Sequence, residues 1–237
     1  MNSVLHIAET RGIANFGWLN SRHTFSFGHY SNPSRTNFGS LRVLNDDIIA
    51  GGTGFDTHPH ANMEIISIPI SGALQHKDSM GTLQVIRDNE VQIMSAGTGV
   101  YHSEYNYLPD GETNFLQIWV MPKEQNIEPH YDQKKFENED IMNKFKTVVS
   151  PEGADALWIN QDAYFNLGYF AEETTTTLKL NIASQGVYFF IIEGSAQIAD
   201  NQLEKRDGLG VWDIENGEIN LTISPKTKIL AIEVPMI

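Results

Sequence analysis

Short apolar runs recur along the chain, and polar turn sequences separate them. The runs are rich in Val, Ile and Phe, which is typical of β-strands rather than of helices. The predicted strands are residues 24–27, 41–44, 48–50, 65–70, 83–86, 91–94, 115–121, 177–183, 187–193, 195–199, 218–223 and 228–234. Closely spaced short strands divided by Gly, Asn and Asp predict an all-β fold, built as an antiparallel sandwich or barrel.

Two polar interruptions divide this pattern. The Asn-Asp-Asp run at residues 45–47 predicts a turn between two strands. Residues 123–153 are dominated by charged and amide side chains, and we interpret them as a linker with a short surface helix at residues 134–145. The predicted organisation is an N-terminal domain over residues 1–122 and a C-terminal domain over residues 154–237, two copies of one β fold.

Composition restricts the partners of the chain. The formal net charge is −14, and the sequence contains no cysteine. An acidic surface repels phosphate backbones and anionic lipids, so we expect no direct binding of nucleic acid or membrane. The lack of cysteine excludes disulfides and thiolate metal sites. Because no apolar run reaches the ~18 residues of a membrane span and no signal peptide is evident, we expect a cytoplasmic protein. Nothing in the sequence demands a partner chain, so a monomer is expected.

Candidate metal ligands recur at two-residue spacing between residues 52 and 106. His58 and His60 form one pair, and His102 and Glu104 form another. In a strand, residues i and i+2 point to the same face, so each pair would offer two ligands on one side. All eight histidines lie at or before position 130, which restricts an imidazole site to the N-terminal domain.

An isolated His-x-His pair in a strand is more often a surface or packing feature than a metal site. The second pair makes metal binding the better interpretation, because two neighbouring strands would then supply four ligands. Spacing does not decide which carboxylate takes part, since Glu64 lies on the same face as His58 and Glu104 on the same face as His102. Three imidazoles and one carboxylate suit a borderline divalent ion and leave two positions open on an octahedral one. The remaining N-terminal histidines, His76 among them, are interpreted as structural.

Longer motifs surround these residues. Gly52-x5-His58-x-His60-x3-Glu64 and Gly99-x2-His102-x3-Asn106 resemble the two cupin motifs. The segments that are similar to the pirin family within the cupins are residues 23–27, 58–60, 75–81, 94–106 and 117–122. The likeness extends over nearly all of residues 5–122, and it includes bacterial pirin-like proteins classed as quercetin 2,3-dioxygenases.

The resemblance implies a bicupin, two jelly-roll barrels with one metal ion in the N-terminal barrel only. It implies His58, His60, His102 and Glu104 as the ligands, with iron as the first expectation and Mn, Co, Ni, Cu or Zn as alternatives. It also implies opening of the heterocyclic ring of flavonols by O₂, with release of CO. Glu104 or Glu64 would accept the flavonol hydroxyl proton. The alternative is a metal-binding, redox-sensing module without enzymatic activity that contacts a partner protein.

Overall fold

The computed structural model describes residues 1–236, and β-strands account for most of that length. The strands of the first part of the chain are β1 (Asn2–His6), β2 (Gly12–Asn15), β3 (Leu19–His23), β4 (Leu41–Ile49), β5 (Gly54–His60), β6 (Glu64–Ser71), β7 (Ala73–Asp78), β8 (Leu83–Arg87), β9 (Glu90–Ser95), β10 (Val100–Asn106), β11 (Thr113–Val120) and β12 (His130–Lys135). A short 3₁₀ turn, Ala8–Thr10, separates β1 from β2.

The second part begins with the short helix α1 (Asn138–Ile141). The strands that follow are β13 (Phe145–Ser150), β14 (Leu157–Trp158), β15 (Tyr164–Phe170), β16 (Thr174–Lys179), β17 (Gly186–Glu193), β18 (Ala196–Ile198), β19 (Asn201–Leu203), β20 (Gly208–Trp212), β21 (Glu218–Ile223) and β22 (Thr227–Val234). A second 3₁₀ turn, Glu215–Gly217, precedes β21.

Each part of the chain contains one large and one small sheet. The first large sheet has the order β12-β9-β6-β11-β4-β3-β2, and its small sheet has the order β5-β10-β7-β8. The second large sheet has the order β1-β20-β17-β22-β15-β13-β14, and its small sheet has the order β16-β21-β18-β19. The run from β4 to β11 therefore repeats in the run from β15 to β22, strand for strand. This duplication confirms the predicted all-β bicupin.

The membership of the sheets departs from the predicted domain boundaries at two strands. Strand β1 pairs with β20 and so belongs to the sheet of the second half. Strand β12 pairs with β9 of the first half, although it lies within the residues interpreted as a linker. The predicted helix at residues 134–145 is wrong over most of its length: its start is strand, its end begins β13, and the helical part is Asn138–Ile141.

The predicted turn at residues 45–47 is also wrong, because β4 runs without interruption from Leu41 to Ile49. The polar side chains in it find partners from distant parts of the chain. Arg11 and Arg206 approach Asp46 to 3.4 and 3.6 Å, and Ser21 donates a hydrogen bond to Asp47. Residues 24–27, predicted as a strand, lie beyond the end of β3 and contribute only an isolated bridge between Phe27 and Tyr30.

The two large sheets pack face to face around one shared core. This core takes side chains such as Ile66 and Leu116 from the first half and Phe165 and Leu230 from the second. Burial of apolar surface stabilises the contact by about 25 cal/mol per Å². The halves are therefore fixed to each other while the small sheets face outward on opposite sides. No helix in residues 1–236 is long and apolar enough to cross a membrane.

Candidate metal centre

Two neighbouring strands of the first small sheet carry the predicted ligands. Strands β5 and β10 are antiparallel, and His102 on β10 lies directly opposite His58 on β5. The register shifts between His102 and Glu104, so a local irregularity follows the first ligand on β10. His60 lies opposite Val100 on the same pair of strands. The antiparallel pairing thus brings together histidines that are 42 to 44 positions apart in the sequence (102 − 60 and 102 − 58).

The three imidazoles form a triangle. Ring centroids lie 4.9 Å apart for His58 and His60, 4.5 Å for His58 and His102, and 4.9 Å for His60 and His102. One nitrogen from each ring lies within 4.8 Å of the other two. Two nitrogens bound to one ion at about 2.0–2.1 Å lie at most about 4.2 Å apart, so side-chain rotations that bring the three nitrogens within that distance would let them share an ion.

Hydrogen bonds leave lone pairs for an ion. The Nδ1 atom of His58 lies 2.7 Å from the carbonyl oxygen of Asp56, which can only accept, so Nδ1 carries the proton and Nε2 is free to bind. The Nε2 atom of His102 is buried and has no hydrogen-bond partner among the described residues. An unpaired buried polar atom costs free energy unless a ligand satisfies it. The donor set therefore fits a divalent transition-metal ion held mainly by imidazole.

Burial and neighbouring charges keep the imidazole rings of His60 and His102 neutral. Burial, assisted by the adjacent imidazoles, lowers the pKa of His60 to about 4. Burial and the neighbouring His58 and His76 lower the pKa of His102 to about 3. Only the neutral imidazole binds a metal, so His60 and His102 keep the form required of a ligand below neutral pH.

Glu104 lies beside His102 and His76. Its carboxylate is within 4.8 Å of ligand atoms of His76 and His102, whereas His58 and His60 do not share that group. Glu104 accepts hydrogen bonds from Ser67 Oγ at 3.0 Å and Gln117 Nε2 at 2.5 Å. The side chain is 1% exposed, so these two bonds hold a buried charge at the base of the cup.

Glu64 points elsewhere. It starts β6 in the large sheet, and its Oε2 accepts from Ser95 Oγ at 2.6 Å and from the backbone N–H of Asn160 at 3.1 Å. Burial raises its pKa. Within residues 1–236, Glu64 joins neither group of side chains that could hold an ion. The contacts of Glu64 connect the first half to the start of the second, and they do not favour the predicted proton-accepting role.

Several residues at the cup were not singled out from the sequence. Ser67 and Gln117 hold Glu104, and the Trp119 ring packs edge-on against His60 with centroids 4.9 Å apart. Gln117 and Trp119 are two positions apart on β11, within the segment 117–122 that resembles the pirin family, so strand alternation in that segment was the available signal. Tyr131 on β12 stacks on His76 at 4.7 Å.

The cup is closed on one side and open on the other. His102 and Glu104 are buried, while His58 and His60 are half-buried. Tyr101, next to His102 on β10, is 59% exposed. Solvent therefore reaches the cup on the side formed by His58 and His60 of β5.

Comparisons with known proteins agree with this geometry. Residues 6–120 match the pirin family, and residues 147–234 match the quercetinase C-terminal cupin domain. The chain is 37% identical over 232 residues to a quercetin 2,3-dioxygenase of Escherichia coli K12, with 98% of each chain covered. It is 40% identical over 204 residues to a pirin-like protein of Caulobacter vibrioides, covering 85% of this chain and 87% of that one.

Solved structures of other proteins have the same fold as this chain. The bacterial pirin YhhW from Escherichia coli, in complex with nickel(II), superposes with a TM-score of 0.93 at 35% identity and 100% coverage of both chains. An oxalate decarboxylase of Lactobacillus farciminis shares the fold alone, with a TM-score of 0.68 at 9% identity. A duplicated cupin barrel with a histidine cup in its first half, and similarity to pirins along nearly its whole length, show that the chain belongs to the pirin family.

Proposed function

We propose that the protein is a metal-dependent dioxygenase that opens the heterocyclic ring of flavonols such as quercetin with O₂ and releases CO. The observation that carries the proposal is the triangle of His58, His60 and His102, whose ligand nitrogens come together in a cup that is partly exposed at His58 and His60. The similarity to the quercetin 2,3-dioxygenase of Escherichia coli supports the same reaction class.

His58, His60 and His102 would hold one divalent ion per chain, with Glu104 as the fourth ligand. Iron is the first expectation for this set, and the nickel complex of the YhhW relative keeps nickel among the alternatives. Glu104 is the buried carboxylate beside His102, and its charge raises the pKa of His60 against the effect of burial. When bound, the ion would supply a cationic centre that makes a flavonol hydroxyl more acidic and that brings substrate and O₂ together.

The protein side chains would position the substrate and move its proton. We assign proton acceptance to Glu104 rather than to Glu64, because the Glu104 carboxylate lies beside His102, whereas Glu64 joins none of the imidazoles within residues 1–236. Ser67 and Gln117 donate to Glu104 and hold its carboxylate in one orientation. Trp119 limits the space beside His60 and excludes water from that side.

Reconstitution tests the proposal directly. The purified chain is stripped of metal, loaded anaerobically with Fe, Mn, Co, Ni, Cu or Zn, and then mixed with quercetin and O₂. We expect loss of quercetin absorbance, with one O₂ consumed for each CO released, for at least one metal. A His102→Ala variant, treated in the same way, serves as the inactive control.

The two candidate functions give different results in this assay. Stoichiometric metal binding without O₂ uptake on any member of a flavonol panel would reject the dioxygenase and leave the metal-sensing module. Failure of the wild-type chain to bind any of the metals would reject both.

A further inference from the structure

A second pair of inward-facing residues lies next to the cup. His76 and Asp78 are two positions apart on β7, and they face Glu104 and His102 on the neighbouring strand β10. Both side chains have no solvent exposure. An ionisable pair in such a place is costly unless its hydrogen bonds are satisfied.

Asp78 is held in one orientation by the turn that follows it. Its Oδ1 accepts from the backbone N–H groups of Met80 at 2.9 Å and Thr82 at 3.0 Å. Its Oδ2 lies 3.0 Å from His76 Nε2. Because an ionised carboxylate can only accept, the proton of this last bond belongs to His76 Nε2.

The proton on His76 Nε2 determines which nitrogen of His102 carries a proton. With one proton on the ring, His76 Nδ1 carries a lone pair, and it lies 3.5 Å from His102 Nδ1. His102 Nδ1 can donate to it only if it carries the proton of its own ring. His102 Nε2 is then unprotonated, and this is the buried atom that has no hydrogen-bond partner in residues 1–236.

We propose that Asp78 and His76 are positioning residues that fix the proton of His102 on Nδ1 and keep its Nε2 ready to bind the metal ion. The backbone amides of the turn orient Asp78, Asp78 sets the tautomer of His76, and His76 sets the tautomer of His102. Partners behind a metal-binding histidine commonly fix its tautomer and ring orientation. Stacking on Tyr131 keeps the His76 ring in place between them.

The Asp78→Asn variant should reverse donor and acceptor in the hydrogen bonds that join residue 78, His76 and His102. The side chain at position 78 keeps its size and shape. The two turn amides still require an acceptor, so the carboxamide oxygen takes the Oδ1 place and the NH₂ group faces His76 Nε2. That NH₂ group donates, so the proton of His76 moves to Nδ1 and faces His102, whose proton is forced to Nε2. We expect the affinity for Co(II) or Ni(II), measured by competition with a chelator at fixed pH, to fall by roughly 10–100-fold.

His76→Ala separates this effect from simple damage to the turn. Without the His76 ring, neither tautomer of His102 is enforced, so the loss of affinity is smaller than in Asp78→Asn. The double variant should bind metal as well as His76→Ala does, and therefore better than Asp78→Asn alone. Asp132→Asn removes one exposed carboxylate and controls for the change of charge, with no expected effect.

Long-range ¹H–¹⁵N spectra of the metal-free protein report the tautomers themselves. We expect His102 to carry its proton on Nδ1 in the wild type and on Nε2 in Asp78→Asn. This proposal rests on the metal-binding role of His102, but the spectra test the hydrogen-bond chain even if no dioxygenase activity is found.

Three results would overturn the proposal. One is an Asp78→Asn variant with unchanged metal affinity or unchanged His102 tautomer. Another is additive losses in the double variant, which would show that Asp78 acts only through the turn. The third is complete loss of metal in His76→Ala, which would make His76 a direct ligand.

Discussion

The two halves of the protein have the same strand order, but the small sheet of the first half carries a histidine cluster and that of the second half packs on an apolar core. The same contact between a threonine and the residue after a glycine occurs in both halves. Thr113 exchanges hydrogen bonds with the backbone of Ala73, just after Gly72, and Thr227 does the same with Ser195, just after Gly194. At both glycines, φ is about +80° (81° and 82°), and a Cβ would collide with the threonine Oγ1 at 2.4 and 2.3 Å. These pairs place the two small sheets in a common register.

In that register, aliphatic residues replace every predicted ligand. The positions of His58, His60, His102 and Glu104 correspond in the second half to Leu178, Leu180, Ile219 and Leu221. All four aliphatic side chains are buried and belong to one apolar cluster. The comparison teaches that a few inward positions on two strands separate a barrel that can hold an ion from one that cannot. The second half stabilises the first through the core shared by the large sheets.

Removing an imidazole from the cup should have the largest effect. We expect His102→Ala to abolish metal binding, with metal content per chain near zero, because His102 is the buried corner of the triangle. His130→Ala, which removes an exposed histidine outside the cup, should keep its metal. Elemental analysis of both proteins checks this. Full metal content in His102→Ala would contradict the ligand assignment.

The matching position in the second half should affect stability and not metal. Leu221→Ala leaves a cavity in the apolar cluster, and we expect the free energy of unfolding to fall by about 2–5 kcal/mol. Denaturant titration measures the loss, and elemental analysis at low temperature should show unchanged metal content. A loss of metal from the folded variant would mean that the two barrels are coupled more closely than their separate interiors imply.

Substitution of the two buried glutamates should have different effects on metal affinity. Glu104→Gln removes the charge beside His102, and we expect metal affinity to fall by roughly 10–100-fold, comparable to the loss of an important partner of a metal site. Glu64→Gln should leave the affinity within about threefold, because Glu64 faces Ser95 and Asn160. Chelator competition on both variants decides the assignment. Metal loss confined to Glu64→Gln would reverse it.

A smaller effect, on the pH dependence of the free energy of unfolding, is expected from the buried Asp47 of the first half. Burial raises the pKa of Asp47 to about 7, from 3.8 in an unfolded chain. The folded state therefore binds this proton more tightly, and stability falls as pH rises from about 4 towards 7. Asp47→Asn removes this loss, so the metal-free variant should be more stable by roughly 1–2 kcal/mol at pH 8.

Denaturant titrations of both metal-free proteins between pH 4 and pH 8 measure this difference. The gain should shrink to near zero at the acid end, where wild-type Asp47 is itself neutral. A stability difference that does not change with pH would show that Asp47 does not titrate in this range.

Much of the fold and the cup follows from local sequence spacing. Alternation along a strand predicts that His58 and His60 share a face, and the strands place them together. Distant partners were not predictable in this way. Asp46 and Asp47 indicate a turn when only neighbours in sequence are considered, yet Arg11, Arg206 and Ser21 allow them to lie in a buried strand. The different surroundings of Glu64 and Glu104 likewise depend on hydrogen bonds to other strands.

The pairing of β1 with β20 has a consequence for synthesis and fusion. Asn2 lies opposite Trp212, so during synthesis β1 must wait for the 210 residues that separate it from its partner (212 − 2) before the two strands can pair. Until then its open backbone groups can recruit a strand from another nascent molecule. A bulky tag joined directly to this strand would disturb the sheet of the distal barrel, far from the histidine cup, and would lower the yield of folded protein before it altered chemistry.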